Sequence, residues 1–335
     1  MRYGRELDGY PFNLKALITR GIIYTQRKIF GSLHNNAYSR TPVMYFGSAA
    51  YEQIRRLLIQ REPCMITRFG TNELDAVSRY IDIHAHGNPI VKFSKLLAGK
   101  SVPFWWDNSV RGSLCWVAGY FPPDDDSMNA FGKRFLQDCQ EIDMLGSFAH
   151  GDERILKQRS PNAIIVSIHD LGPVIMDDPW SPVLEGKTVL VISPFIKTIQ
   201  QQYARRQLLF ANPKMLPEFT LKTYKPVVSL AGERPPFATW IEALEHMCAE
   251  IRQIDFDIAL IGAGAYGLCL AADIKRSGRK AFHIGGATQL LFGIKGGRWD
   301  AYPKFTQHIY NPYWVRPLPE EVPEKAKTVE ASAYW

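Results

Sequence analysis

Residues able to do chemistry cluster at three places where an apolar run gives way to a helical pattern. The first is Gly262-Ala-Gly264-Ala-Tyr266-Gly267, directly after the apolar DIALI and ahead of a helical stretch. Glycines at this spacing permit a tight turn and close approach of backbone to a phosphate, and the following helix start offers unpaired N–H groups and a favourable dipole. The second is Gly285-Gly286-Ala287-Thr288, again after a strand-like run, followed by Lys295 and Arg298 around Gly296-Gly297. Two neighbouring strand ends with open backbone and nearby cations suit a pyrophosphate. The third is Thr67-Arg68-Phe69-Gly70-Thr71-Asn72-Glu73, where Arg68 is placed to face a phosphate and Glu73 to act as a base or a metal ligand.

Each cluster also has a purely structural reading. GAGAYG makes a sound strand-to-helix turn without any ligand. Lys295 and Arg298 suit a solvated loop. Thr71 suits a helix cap, with Glu73 as a favoured first-turn carboxylate. The dinucleotide fingerprint is half met: after the next strand-like run, Lys280–Ile284, the chain reads His283-Ile-Gly285-Gly286, with no acidic residue for the ribose hydroxyls of NAD. A phosphate or diphosphate site is therefore expected, with no NAD, and an NAD(P)-dependent oxidoreductase is the weaker alternative. Lys197, behind Ser193-Pro194-Phe195-Ile196, either contacts phosphate or begins a helix. His169-Asp170 offers a base or a strand-end turn. Asp124-Asp125-Asp126 looks like a metal box but follows Pro122-Pro123 as a surface turn would. Trp105 and Trp106, in an aromatic stretch punctuated by Gly and Pro, read either as a core patch or as a platform for a sugar acceptor.

The elements that must position these residues follow an α/β rhythm. Helices are expected over 49–60, 72–80, 196–210, 238–254 and 266–277. Strands are expected over 64–67, 163–168, 188–193, 219–224, 257–261 and 280–284. Continuous apolar strands alternating with helices predict a Rossmann-like α/β fold, a mostly parallel sheet with helices on both faces. Residues 13–30 read as a basic amphipathic helix, so the expected division is an N-terminal helix and linker over 1–42, a catalytic α/β domain over 43–317, and a loose Pro- and Glu-rich tail over 318–335.

The RFG-x-x-E segment at the front, together with IGAGAYG…HIGGATQLLFGIKGGRW at the back, resembles the GT-D-type glycosyltransferases of bacterial surface-polysaccharide and glycoprotein assembly. The resemblance spans roughly residues 45–315 of the sequence. It implies a nucleoside-diphosphate sugar as donor, a UDP-sugar for preference, and a saccharide or lipid-linked acceptor. It also implies Mn²⁺ or Mg²⁺ held by a front Asp-x-Glu pair. Here the Asp position is Thr71 and only Glu73 remains, so a hard oxygen ligand is missing, and a non-catalytic nucleotide-sugar-binding homologue stays open as an alternative.

Composition frames these readings. The chain has 335 residues, 46% hydrophobic and 22% charged, and a formal charge of +7. Seven basic residues against two acidic ones stand in 1–42, while 318–335 carries four Glu and two Lys. The body is nearly balanced, which argues against a nucleic-acid partner. The basic front end suits a peripheral contact with an anionic membrane. Five cysteines without a C-x-x-C pair fit core residues in a reducing compartment. With no run of about 18 apolar residues and no secretory signal pattern, a cytoplasmic protein is expected.

Overall fold

A computed structural model describes residues 41–335 except 98–100, 102, 149–150, 173–177, 231–232, 234 and 330–332. The expected N-terminal amphipathic helix, and with it the proposed membrane contact, lies outside the described residues.

The elements run α1 (Ser48–Ile59), β1 (Cys64–Arg68), α2 (Thr71–His84), α3 (Pro89–Leu97), α4 (Asp125–Asp138), β2 (Met144–Ser147), α5 (Asp152–Arg159), β3 (Ile164–Ser167), β4 (Thr188–Ile192), α6 (Ile196–Ala204), β5 (Thr220–Tyr224), α7 (Trp240–Arg252), β6 (Ile258–Ile261), α8 (Tyr266–Arg276) and β7 (Lys280–His283). Single helical turns punctuate the loops. The strands form one seven-stranded sheet in the order β3-β2-β1-β7-β6-β4-β5. Every pairing is parallel.

The Rossmann-like expectation holds, and its physical basis is visible in the strands. Successive residues of one strand enter opposite layers: Met65 joins the core under α2, α4, α7 and α8, whereas Cys64 and Ile66 join the core under α1 and α6. Both faces are buried, so the strands read as unbroken apolar runs. Helix α8 is apolar nearly all round because it lies against β7 and β1 and is flanked by α7 and α4.

Two expectations needed correction in this layer structure. The described residues of 318–335 do not form a loose tail: Ala326, Val329 and Ala333 are buried, and Tyr334 and Trp335 pack against the α1/α6 side of the core. The short apolar residues of this segment, spaced among prolines and glutamates, give it anchors that its composition hides. The helix expected to run from Ile196 to Phe210 ends at Ala204, where Arg205 leaves helical geometry and its guanidinium turns back to Gln202 Oε1.

One topological feature fixes where a ligand fits. Strands β4 and β6 are neighbours, yet α6, which follows β4, packs on one face while α8, which follows β6, packs on the other. Their connections therefore diverge at the carboxyl ends and open a crevice there, which is where ligands bind in open α/β sheets.

Candidate functional site

The crevice between β4 and β6 holds a cavity of about 310 Å³. Its floor is Pro194 after β4 and Gly262–Gly264 after β6, with Tyr266 beside them. The segment 225–230 after β5 makes one wall, and residues 320–324 with Trp335 make the other. Sequence reasoning found the glycine turn but missed Lys225, Ser229, Glu233 and the whole C-terminal wall. Lys225 was findable, since it stands directly after the last residue of β5. The C-terminal wall had no local signal.

The glycines have distinct jobs. Gly264 has φ +53° and only Ala118 O, at 3.6 Å, near the place of its missing Cβ, so its side is open. A Cβ on Gly262 would stand 2.9 Å from Gly285 O and 3.0 Å from Thr288 Oγ1, so this glycine lets the two turns touch. Gly267 clears room for the His283 ring, and Gly286 clears room for the Tyr334 ring. Gly285 combines φ +73° with close passage of the Arg68 side chain, whose Cδ would lie 3.2 Å from a Cβ. Thr288 is buried and its Oγ1 lies 2.8 Å from Gly285 O and 3.2 Å from Ile261 O, so its hydroxyl serves the main chain.

Tyr266 is equally committed. Its ring stacks on Trp240 at 4.7 Å and 6°, its hydroxyl lies 3.4 Å from Ser229 Oγ, and burial pushes its phenol pKa up. Arg68 leaves the end of β1 and curls over, its Nε and Nη2 donating to Phe69 O at 2.9 and 2.6 Å. Its guanidinium stands 4.8 Å from the centre of the Phe148 ring. His283, at the end of β7, is buried, with Nδ1 3.0 Å from Thr67 Oγ1. Burial, and then the Arg68 charge, push its pKa down to about 3, so the imidazole is neutral at physiological pH.

Glu73 lies in the first turn of α2, half-buried, with its carboxylate folded over Gly70 so closely that no Cβ fits there. The cap of α2 is Gly70, with no side-chain cap bond, so Thr71 is the first helical residue and is exposed rather than capping. Glu73 is thus the single carboxylate at the front motif, and among the described residues no group of three His, Cys, Asp or Glu side chains converges as a metal site. This donor set does not fit a divalent cation held by the protein's own carboxylates.

Other sequence candidates fall away from the crevice. Trp106 is buried in the core and its Nε1 donates to Asn129 Oδ1 at 3.1 Å, so it presents no face to an acceptor. Trp105 is half-buried and packs edge-on against Phe104 at 5.0 Å. Lys295 Nζ sits 5.2 Å from the Tyr310 ring centre, and the Arg298 guanidinium 4.7 Å from that of Tyr334, so both cations lean on rings rather than on the first glycine turn. Asp124 is the N-cap of α4, accepting from Ser127 N at 2.8 Å, and Asp125 pairs with Arg111. Asp170 is buried and accepts from Gly47 N at 3.1 Å ahead of α1, while His169 is exposed. Lys197, in the first turn of α6, is the exception: it stands beside the crevice, with its Nζ 3.4 Å from Oε1 of the cavity-lining Glu320. Among the described residues no helix is long and apolar enough to cross a membrane.

No protein-family model matches the chain, and no curated protein is similar to it in sequence. Among solved structures, the chain is similar to a selenomethionine-substituted domain of unknown function 1792, at 10% identity and a TM-score of 0.36, covering 73% of this chain and 78% of that one. A similarity at this level assigns neither a family nor a function.

Proposed function

We propose that the protein transfers a glycosyl group from a nucleoside-diphosphate sugar to a saccharide or lipid-linked hydroxyl. The observation that carries the reading is the coincidence of the open GAGAYG turn with the cavity at the β4/β6 switch point, on the same carboxyl side of the sheet as the Arg68–Glu73 motif, with β7 between β6 and β1. In this reading the nucleotide lies in the crevice and its diphosphate meets the amino end of α8. Arg68, at the end of β1 two strands from β6, adds positive charge on the side where the leaving diphosphate gains negative charge. The acceptor hydroxyl gives its proton to the Glu73 carboxylate as its oxygen attacks the anomeric carbon, and the bond from that carbon to the diphosphate oxygen breaks.

The sequence resemblance supplies the reaction class, and the placement of the three motifs along one edge of the sheet is consistent with it. Were a divalent cation to accompany the donor, Glu73 is the front carboxylate that would hold it beside the donor's phosphates. A non-catalytic nucleotide-sugar-binding protein is the second reading, favoured by Thr71 standing where the resemblance expects Asp.

The test is a thermal-shift screen of UDP-, GDP-, CMP- and dTDP-sugars, each with and without Mn²⁺, followed by transfer assays on the donor that binds. Bound donor raises the melting temperature by mass action. Glu73→Gln is expected to keep the fold and the donor affinity while abolishing transfer. Wild-type turnover in that variant would sink the assignment of the base. Binding without transfer across a panel of acceptors would favour the second reading, and tight NADH binding without a response to any sugar nucleotide would overturn both.

A further inference from the structure

The chain's own C-terminal segment supplies an anion at the crevice. Glu321 is buried, and its carboxylate accepts the main-chain N–H of Lys197 at 2.7 Å and of Thr198 at 3.2 Å, together with the Thr198 hydroxyl. Those groups form the start of α6, immediately after β4 and beside the cavity. Leu318 N donates back to Thr198 Oγ1 at 2.9 Å, and Glu320 reaches Lys197 Nζ. The segment is therefore tied down at the amino end of a helix, where a ligand's phosphate would otherwise be favoured.

Beyond this contact, residues 322–324 wall the cavity, and the segment is anchored by buried Ala326 and Val329. Glu233, Glu320, Glu321 and Glu324 line the cavity against one lysine of its lining, Lys225. An anionic diphosphate entering this space meets a surplus of negative charge. The volume is also at the lower end of ligand pockets, which run from about 300 to 1,000 Å³. Both features belong largely to residues 320–324, and moving those residues removes three of the four carboxylates and one wall.

We infer that residues 318–324 are an autoinhibitory acidic arm, whose Glu321 carboxylate holds the start of α6 until a diphosphate-bearing ligand displaces it. This rests on the nucleotide-sugar reading for the identity of the natural ligand, but the arm is defined by its own contacts. Displacement takes the carboxylates out of the cavity, so that the ligand's diphosphate reaches the amino end of α8. The buried residues 326 and 329 serve as the hinge-side anchor.

The experiment uses the full chain, wild type and Glu321→Ala, with inorganic pyrophosphate and UDP as probes. Two quantities are read: affinity by calorimetry, and hydrogen exchange of residues 197–198 and 318–324. An arm open about a tenth of the time weakens apparent affinity about tenfold. Glu321→Ala is therefore expected to bind both probes about tenfold more tightly. In the wild type, added pyrophosphate should speed exchange over 318–324. Faster arm exchange in Glu321→Ala with unchanged or weaker affinity for both probes would overturn the inference. If that variant does not fold, the wild-type exchange decides: an arm equally protected with and without saturating pyrophosphate refutes the displacement. Competition by pyrophosphate without any transfer from sugar nucleotides leaves the arm standing and removes the transferase reading. Absence of binding by either probe to either protein overturns the arm.

Discussion

Replacing His283 by glutamine is expected to flatten the acid side of the stability profile. In the folded chain the imidazole is enclosed between Thr67 and the Gly267 turn, with Arg68 near it, and its pKa falls from 6.5 to about 3. A base whose folded pKa is depressed binds fewer protons folded than unfolded. Its neutral form therefore contributes full stability above pH 6.5, and that contribution is lost progressively as the pH falls toward 3. At pH 5 the unfolded imidazole is about 1.5 units below its pKa, which at about 1.4 kcal/mol per unit corresponds to a loss of about 2 kcal/mol. Urea denaturation of wild type and His283→Gln at pH 7 and pH 5 measures it. The wild type should lose about 2 kcal/mol more than the variant across that interval. The readout is a difference of differences, so a variant that is uniformly less stable still reports. Parallel pH dependence in the two proteins would refute the enclosure of His283. Arg68→Gln, which removes the second cause of the shift, should leave the loss between pH 7 and pH 5 nearly unchanged and end the decline at a higher pH on the acid side.

Three further outcomes follow from side-chain positions. Trp106→Ala should cost about 3–5 kcal/mol of stability by denaturation, because the ring is core and not platform; a fully stable variant with a selective acceptor defect would restore the platform. Gly267→Ala should lower the melting temperature: the new methyl meets the His283 ring, and an overpacking cost of about 1–3 kcal/mol exceeds the gain of about 1 kcal/mol from helix propensity. An unchanged or raised melting temperature would show that the ring can shift. Transfer activity should survive EDTA if the Arg68 charge alone offsets the leaving diphosphate; activity lost to EDTA and restored by Mn²⁺ would place a cation between Glu73 and the donor's phosphates.

The strands were legible where burial on both faces made them continuous apolar runs, as in Ile164–Ser167 and Thr188–Ile192. Strand β2 escaped because Met144–Ser147 is no continuous branched apolar run: it contains Gly146, which lets Leu171 approach. Helix α4 escaped because its N-cap, Asp124, lies in an acidic run that reads as a surface turn. In the site, motif positions were legible but partners were not. Nothing near Gly286 in sequence foretells that a ring 48 positions downstream fills its space, and nothing near Lys197 foretells Glu320 and Glu321. Local pattern reports which residues can turn or cap. The identity of the group that meets them is a long-range property of the fold.

That distinction separates two glycine turns which look equivalent in the sequence. The space beside Gly264 is open, whereas the space beside Gly286 is taken by Tyr334, and its neighbours Gly297 and Arg298 donate their main-chain N–H groups to Trp335 O and Ala333 O at 3.2 and 3.0 Å. Only the first turn is available to a ligand, so the two glycines should fail differently. Gly264→Ala places a Cβ on a left-handed residue, at about 1–2 kcal/mol, and distorts the turn where the diphosphate is proposed to lie; nucleotide affinity should fall more than stability requires. Gly286→Ala drives Tyr334 from its place, so proteolysis within 318–335 should accelerate while affinity is kept or improved. Calorimetry with UDP and timed trypsin digestion of both variants read the two effects. Equal losses of affinity in the two would mean that the second turn also binds ligand, and that the C-terminal segment leaves it as readily as it leaves α6.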